Sequence, residues 1–177
     1  MPKLHHALFT LALAGIASTL AQPTTAQQAR PQGPCDIYAA AGTPCVTAHS
    51  TARSLSSRYD GPLYQVKRAD GQLLNIGVIA GGFANAAAQD RFCAGALCYI
   101  NRIYDQSGKG NDLMQAPPGP LYFGPDKGAF DTQPIADMAP ITIGGGHKAY
   151  GVYIMPGMGF RNNNAREINP SSARPTA

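Results

Sequence analysis

Leu97-Cys98-Tyr99-Ile100-Asn101-Arg102-Ile103-Tyr104 runs directly into Asp105-Gln106-Ser107-Gly108-Lys109-Gly110-Asn111-Asp112. The first eight residues are the most strand-like stretch of the chain, rich in β-branched and aromatic side chains. The next eight are turn chemistry, with Asp, Ser, Asn and two glycines. Working outward, residues 63–68 alternate and predict a strand. The Asp70-Gly71 turn after them is a strong hairpin signal, and residues 73–79 supply the return strand. Residues 140–143 and 149–154 predict two more strands. Residues 84–92 predict a short helix. Residues 48–58 are the best remaining helical candidate, with Ala52, Leu55 and Ser56 on a thin apolar face. Residues 114–127 are rich in Pro and Gly and predict an irregular loop. Short strands separated by turns predict an all-β fold, a β-sandwich. The strands are too few for a complete large sandwich, and no internal repeat is present.

Composition agrees with this pattern. Charged residues make up only 14% of the 177 residues, while Gly and Pro number 20 and 15. Charged helix faces are scarce. The N-terminus has the order of a secretory signal: basic Met1-Pro2-Lys3, apolar residues 7–17, then small Ser18-Thr19-Leu20-Ala21. Cleavage is expected after Ala21, or as late as Ala26. The apolar run is short for a membrane span, which needs about 20 residues, and no later run is longer. Residues 22–33 are polar and Pro-rich and predict a disordered linker. Residues 164–177 predict a disordered tail. Loss of Lys3 lowers the formal charge from +4 to +3. Basic residues are scattered, so the basic stripe of a nucleic-acid binder is missing. The chain is thus expected to be secreted, extracellular or periplasmic, with no nucleic-acid partner and no membrane attachment once the signal is removed.

Four cysteines, Cys35, Cys45, Cys93 and Cys98, suit disulfides in an exported chain. Three pairings are possible. Cys35 and Cys45 flank the turn residues Gly42-Thr43-Pro44, and Cys93 and Cys98 flank the small bend Ala94-Gly95-Ala96-Leu97. Local closure favours Cys35–Cys45 and Cys93–Cys98. A zinc site is the weaker reading, because neither His49 nor His147 stands in a ligand spacing with them. No metal and no cofactor is expected.

Candidate catalytic groups are few. Glycoside hydrolysis commonly needs two carboxyl groups. The acids are Asp36, Asp60, Asp70, Asp90, Asp105, Asp112, Asp126, Asp131, Asp137 and Glu167. Asp60 and Asp70 sit in turns, and Asp105 and Asp112 flank one, where Asp bonds the backbone. His49 and Ser50 are neighbours and unsuited to face each other, and no G-x-S-x-G motif is present. Gly81-Gly82 and Gly144-Gly145-Gly146 match no phosphate-binding pattern and predict tight turns.

Four segments together resemble one family. They are Gly33-Pro34-Cys35-Asp36-Ile37-Tyr38 with residues 43–51; Gly61-Pro62-Leu63-Tyr64-Gln65-Val66; residues 80–90 with Phe92-Cys93; and Ile103-Tyr104-Asp105-Gln106-Ser107-Gly108-Lys109-Gly110-Asn111. Lys148-Ala149-Tyr150-Gly151-Val152 and Gly157-Met158-Gly159-Phe160-Arg161-Asn162-Asn163 fit as well. Over residues 33–163 the chain resembles the start of the catalytic domain of glycoside hydrolase family 54, the α-L-arabinofuranosidase B family. The resemblance implies a lectin-like or jelly-roll β-sandwich, incomplete in this chain, whose N-terminal part is residues 34–163. It implies the same local cysteine pairing. It also implies removal of terminal arabinofuranose, with retention, from plant cell-wall arabinan and arabinoxylan, and a β-trefoil that normally follows. The family's nucleophilic Glu, its acid/base Asp and its vicinal Cys-Cys lie further along the chain. This sequence has no Cys-Cys, and it leaves the family pattern after Asn163, so no catalytic residue is carried over. Glu167 has the wrong surroundings to be the nucleophile. The expectation is an exported, truncated glycoside hydrolase that is inactive alone. The alternative is a non-catalytic carbohydrate-binding or surface module derived from the same sandwich.

Overall fold

The structure is a computed structural model that describes residues 30–118 and 128–168. The expected signal at 1–21 lies outside the described residues, as do most of the linker and the end of the tail. The elements in chain order are α1 (Pro34–Ala40), β1 (Tyr64–Arg68), β2 (Leu73–Ile76), α2 (Ala86–Cys93), β3 (Cys98–Ile103), β4 (Leu113–Gln115), β5 (Pro140–Ile143), β6 (His147–Tyr150) and β7 (Phe160–Arg161). Five strands form one sheet in the order β2-β1-β3-β4-β7, and β5 and β6 form a separate ribbon. Every neighbouring pair is antiparallel. The described chain is therefore mostly β, with two short helices.

The Asp70-Gly71 hairpin forms as the sequence predicts. Tyr64 pairs with Ile76 and Lys67 with Leu73. Gly71 takes φ +89°, a left-handed conformation that glycine adopts without a Cβ clash. The Asp70 carboxylate accepts a hydrogen bond from the Gln72 amide at 3.1 Å, closing the turn from its side chain.

Strand β3 carries a device that its sequence conceals. Strict alternation would send Ile100 and Ile103 to opposite faces of the sheet. Val66 pairs with Ile100 and Gln65 with Arg102, so Asn101 is an extra residue opposite β1. This bulge re-phases the strand. Cys98, Ile100 and Ile103 all become buried on one side. There they join Leu63, Tyr64, Val66 and Ile76 in the core, with Ala84 and Ala136.

A buried polar chain crosses this core. The Tyr64 hydroxyl donates to Gln89 Oε1 at 2.6 Å, and Gln89 Nε2 donates to the Ala136 carbonyl at 2.9 Å. Each link satisfies groups that would be costly to leave unpaired. Burial, with Tyr150 and Asp90 nearby, pushes the Tyr64 phenol well above its ordinary range. The chain ties β1, α2 and the segment around Ala136 into one unit.

Both local disulfides are formed, Cys35–Cys45 and Cys93–Cys98, with Cα separations of 5.5 and 5.8 Å. The first fastens α1 to the following loop. The second joins the end of α2 to the start of β3.

The structure corrects four local expectations. Residues 48–58 form no helix. The Ser50 hydroxyl accepts from the Ala52 and Arg53 amides, and the Ser56 hydroxyl from the Arg58 amide, a local competition that disfavours helix. Long-range partners take the rest of that backbone: Gln106 N donates to Ala48 O, Ser54 N to Gly82 O and Ala84 N to Ala52 O. The N-terminal helix forms instead at α1. Pro34 stands in its first turn, and the Asp36 carboxylate accepts from the Gly33 amide at 2.8 Å. Strand β4 runs from Leu113 into the stretch read as an irregular loop, ending at Gln115. Strand β6 covers His147–Tyr150 rather than 149–154: Gly144–Gly146 close a tight 3-10 turn so that Ile143 already pairs with His147, and residues 151–154 form no strand.

Two residue groups at the expected domain boundaries make described contacts. Arg30 donates to the Tyr59 carbonyl, and Gly33 is buried so closely on Leu55 that a Cβ would lie 2.2 Å from the Leu55 carbonyl oxygen. In the polar tail, the Arg166 backbone is joined to Asn111.

Replacing both Cys93 and Cys98 with Ala should lower unfolding stability by about 2 kcal/mol, the loop-closure value for so short a ring. Urea unfolding followed by circular dichroism measures it.

Candidate functional site

The turn after β3 folds around the Asp105 carboxylate. This group is 7% exposed. It accepts hydrogen bonds from the Ala48 amide (2.8 Å), the Ser107 amide (2.9 Å) and hydroxyl (2.6 Å), and the Asn111 amide (2.9 Å). Burial opposes its ionisation, but the Ser107, Asn111 and Ala48 donors outweigh it and hold the carboxyl below the usual range. An acid kept ionised and surrounded by backbone donors cannot donate a proton at neutral pH. Its role is to hold loop 46–51 against loop 105–112.

Asn111 completes the same hub. Its side-chain amide donates to the Val46 carbonyl (2.8 Å) and the Arg166 carbonyl (3.0 Å), and its Oδ1 accepts from the Arg166 amide (2.6 Å). A His49 ring nitrogen meets the Asn111 carbonyl at 2.8 Å. Asp112 accepts from the Asp105 amide at 2.8 Å and pairs with Arg102 at 3.5 Å. Gln106 is buried with its side chain on Leu55 and Arg53.

Asp36 is a second structural anchor. Burial again opposes its charge. The Ser57 and Gly33 amides and the Ser56 hydroxyl outweigh that and bring it down to about 2. It pins α1 to residues 56 and 57. A shallow open depression of about 400 Å³ lies beside it, lined by Gln32, Asp36, Ala39, Ala40, Ser57 and Arg58. One carboxylate, already fully engaged, gives this depression no hydrolytic pair.

A third cluster lies where α2 meets β6. Lys148 Nζ donates to both Asp90 oxygens at 2.9 Å, and the Tyr150 hydroxyl donates to Asp90 as well. Lys148 also lies over the Tyr150 ring, 4.8 Å from its centre. Burial works against the Asp90 charge, but Tyr150 and Lys148 lower its pKa on balance. Nearby, the His147 ring stacks on Phe83 with centroids 3.9 Å apart. This cluster fastens the β5–β6 ribbon to α2.

The structure does not gather the sequence candidates into one site. Asp70 caps its hairpin turn. Glu167 is exposed and pairs with Lys109 at 2.5 Å. Asp131 is nearly buried, with Oδ2 against Gly159, where a Cβ would come within 2.7 Å. Ser50 bonds local backbone while His49 turns to Asn111, so the two do not act as a pair. Gly81, Gly82, Gly145 and Gly146 all take positive φ in tight turns. Among the described residues, no group of three His, Cys, Asp or Glu side chains could hold a metal ion. No helix among them is long and apolar enough to cross a membrane. Asp126 lies outside the described residues. The Asp90–Lys148–Tyr150 cluster escaped the sequence reading. Its members stand 58 and 60 residues apart, and no local pattern links them.

The described chain has a β-rich core, two local disulfides and a Tyr-Asp-Gln-Ser turn wrapped on its own carboxylate, and comparison with known proteins supplies the class. The model of the family described as "Alpha-L-arabinofuranosidase B, catalytic" matches residues 34–176. The chain belongs to that family. The match extends past Asn163, where the resemblance read from motifs stops. A relative from Aspergillus terreus, "Probable alpha-L-arabinofuranosidase B", is 61% identical over 135 residues, which are 75% of this chain and 26% of the relative. An "Alpha-L-arabinofuranosidase" from Hypocrea jecorina is 58% identical over 134 residues, with the same shares covered. A crystal structure of an arabinofuranosidase complexed with arabinofuranosyl-alpha-1,2-xylobiose aligns with TM-score 0.73 and 53% identity. The alignment covers 77% of this chain and 28% of that one. The chain thus spans about a quarter of the length of the curated relatives it matches.

The depressed carboxyls set an acid limit. A carboxylate whose folded pKa lies below its unfolded value stabilises the fold above that unfolded value, about 4, and the contribution is lost as pH falls through the folded one. Stability should hold from neutral pH to about 5, then fall from about pH 4 towards pH 2 as Asp36, Asp90 and Asp105 protonate. Asp105→Asn should lower stability at pH 7 by roughly 1–3 kcal/mol, because its amide group faces backbone donors. The same variant should show a shallower acid limb. Urea midpoints measured from pH 7 to pH 2.5 check both.

Proposed function

We propose that this chain is the N-terminal, scaffold-forming part of an α-L-arabinofuranosidase catalytic domain, exported from the cell, that carries none of the catalytic carboxylates and is inactive alone. The full family reaction is release of terminal arabinofuranose from plant cell-wall arabinan and arabinoxylan with retention of configuration. One observation carries the reading. The family match takes in residues 34–176, yet the chain spans only 26% of its relatives, and its well-placed carboxylates are committed to structure.

The chemistry agrees. A retaining glycosidase needs a nucleophilic carboxylate and an acid/base carboxyl about 5–5.5 Å apart across the scissile bond. Asp36, Asp90 and Asp105 are each drawn below the usual pKa range by bonds to their own scaffold. A general acid needs the opposite environment. The five-stranded sheet, apolar on one face, is one layer of a jelly-roll sandwich in this reading. Residues 1–21 act as the export signal and 22–33 as the linker. Residues 34–163 form the sandwich portion, and 164–177 form a polar tail. Two disulfides suit the oxidising compartment that export provides. Neutral polysaccharide rich in arabinofuranose is the ligand class of the complete domain.

Purified, oxidised chain should release no arabinose from 4-nitrophenyl α-L-arabinofuranoside above a buffer blank. Measurable turnover would overturn the assignment. Retention on insoluble arabinoxylan without turnover would move the chain to the sugar-binding class.

A further inference from the structure

The outer face of the five-stranded sheet gathers polar groups that stand far apart in sequence. Tyr64, Val66 and Ile76 are buried in the core, so alternation sends Gln65, Lys67 and Asn75 to the other side. Tyr99 is the register partner of Lys67, and Arg102 of Gln65. The second row continues through Met114 to Arg161. Lys67, Arg102 and Arg161 belong to three different strands, and the sheet brings them to one face.

A chain of side-chain amides crosses the same face. Gln133 Nε2 donates to Asn101 Oδ1 at 2.8 Å, Asn101 Nδ2 to Gln65 Oε1 at 2.6 Å, and Gln65 Nε2 to Asn75 Oδ1 at 2.9 Å. The Tyr104 hydroxyl donates to Asn75 Oδ1 at 2.8 Å. The amides all donate in one direction, so the bonds polarise one another. Both ends of the chain stay open. Among the described residues, Asn75 Nδ2 and Gln133 Oε1 have no partner. Donors and acceptors held in fixed positions on a sheet suit a ligand rich in hydroxyl groups.

The cations on this face are poorly satisfied. Lys67 is exposed and forms no ion pair among the described residues. Arg102 gives its Nε to the Met114 thioether at 3.0 Å, a weak acceptor, and reaches Asp112 at 3.5 Å. Arg161 donates to the Pro117 carbonyl, while its Nε has no partner among the described residues. Two acids lie near. Asp112 is shared between Arg102 and the Asp105 amide, and Asp137 stands exposed in the turn after Ile135, which bridges to Tyr99. Three cations against these two acids leave the face short of anions. A carboxylate would satisfy a guanidinium better than a thioether does. Nucleic acid fits less well, because its phosphates need a continuous basic stripe and much of this face is amide.

We propose that this face binds an acidic glycan, a polysaccharide of uronic acid residues. Its carboxylates meet Lys67, Arg102 and Arg161, and its ring hydroxyls meet the open ends of the amide chain. This ligand differs from the neutral arabinofuranose of the family reaction, and its binding involves no turnover. The proposal therefore stands apart from the functional reading above.

Binding of the full, oxidised chain to immobilised polygalacturonate, followed by surface plasmon resonance, tests it. The chain should bind, and the affinity should fall as salt is raised. Lys67→Gln with Arg102→Gln should weaken binding roughly tenfold. Arg58→Gln with Arg91→Gln removes the same charge beside the Asp36 depression and on α2, and should leave binding unchanged. Lys67→Arg should preserve it. Asn75→Ala should weaken binding to polygalacturonate but not to polyglutamate, which offers carboxylates without hydroxyls. Each variant must keep the parent's circular dichroism and both disulfides. Lys67→Glu, a single change at an exposed side chain, should weaken binding in the same direction as the double variant. Absence of binding to polygalacturonate overturns the proposal. So does equal weakening by the Arg58 and Arg91 pair, or equal loss of polyglutamate binding in Asn75→Ala. A DNA duplex or neutral arabinoxylan bound as tightly as polygalacturonate overturns it as well.

Discussion

The extra residue at Asn101 is the constraint on which the sheet depends. Without it, β3 could bury Ile100 or Ile103 but not both on one face, and its register against β1 would slip by one. With it, β3 presents Cys98, Ile100 and Ile103 to the same core that receives Tyr64 and Val66 from β1. The strand is central, with β1 on one side and β4 on the other, so its phase sets the phase of its neighbours. The Cys93–Cys98 bridge anchors the beginning of β3 to α2, and Asp105 anchors the turn that follows it.

Polar groups do the long-range work that so few apolar side chains cannot do alone. Asp105 and Asn111 join loop 46–51, the turn after β3 and Arg166. Asp36 joins α1 to residues 56 and 57. Asp90 joins α2 to the ribbon. Tyr64 and Gln89 join the sheet to the segment at Ala136. Each is a satisfied network, and each carboxylate in it is stabilised as the anion. That explains how a fold can hold buried and half-buried acids as structural anchors.

Much of this was legible along the chain. The hairpin at Asp70-Gly71 is local turn chemistry, and it forms there, with a return strand that ends at Ile76 rather than 79. Strand β5 lies where its alternating residues put it. The short helix after Phe83 formed as α2, with the Asn85 side chain accepting from the Ala88 amide. The turn role of Asp105 was legible too, since Asp before Gln-Ser-Gly is turn chemistry. Its reach to Ala48, 57 residues away, was not. The helix expected at 48–58 failed for the same kind of reason. Its backbone partners, Gly82, Ala84 and Gln106, are distant in sequence, and they outcompete a marginal helix.

Sequence alone determined the class of element, the hairpin, the local disulfides and the family, because each depends on residues close together or on a motif set. Tertiary structure decided the bulge at Asn101, the Asp90–Lys148–Tyr150 fastening and the exposure of Phe130, Tyr153 and Ile154. These depend on which distant segments meet. The same Leu97–Asp112 stretch shows both sides of that division. Its residue types declare a strand and a turn, but only contact with β1 and with loop 46–51 decides which of its side chains face inward and which backbone amides its aspartate holds.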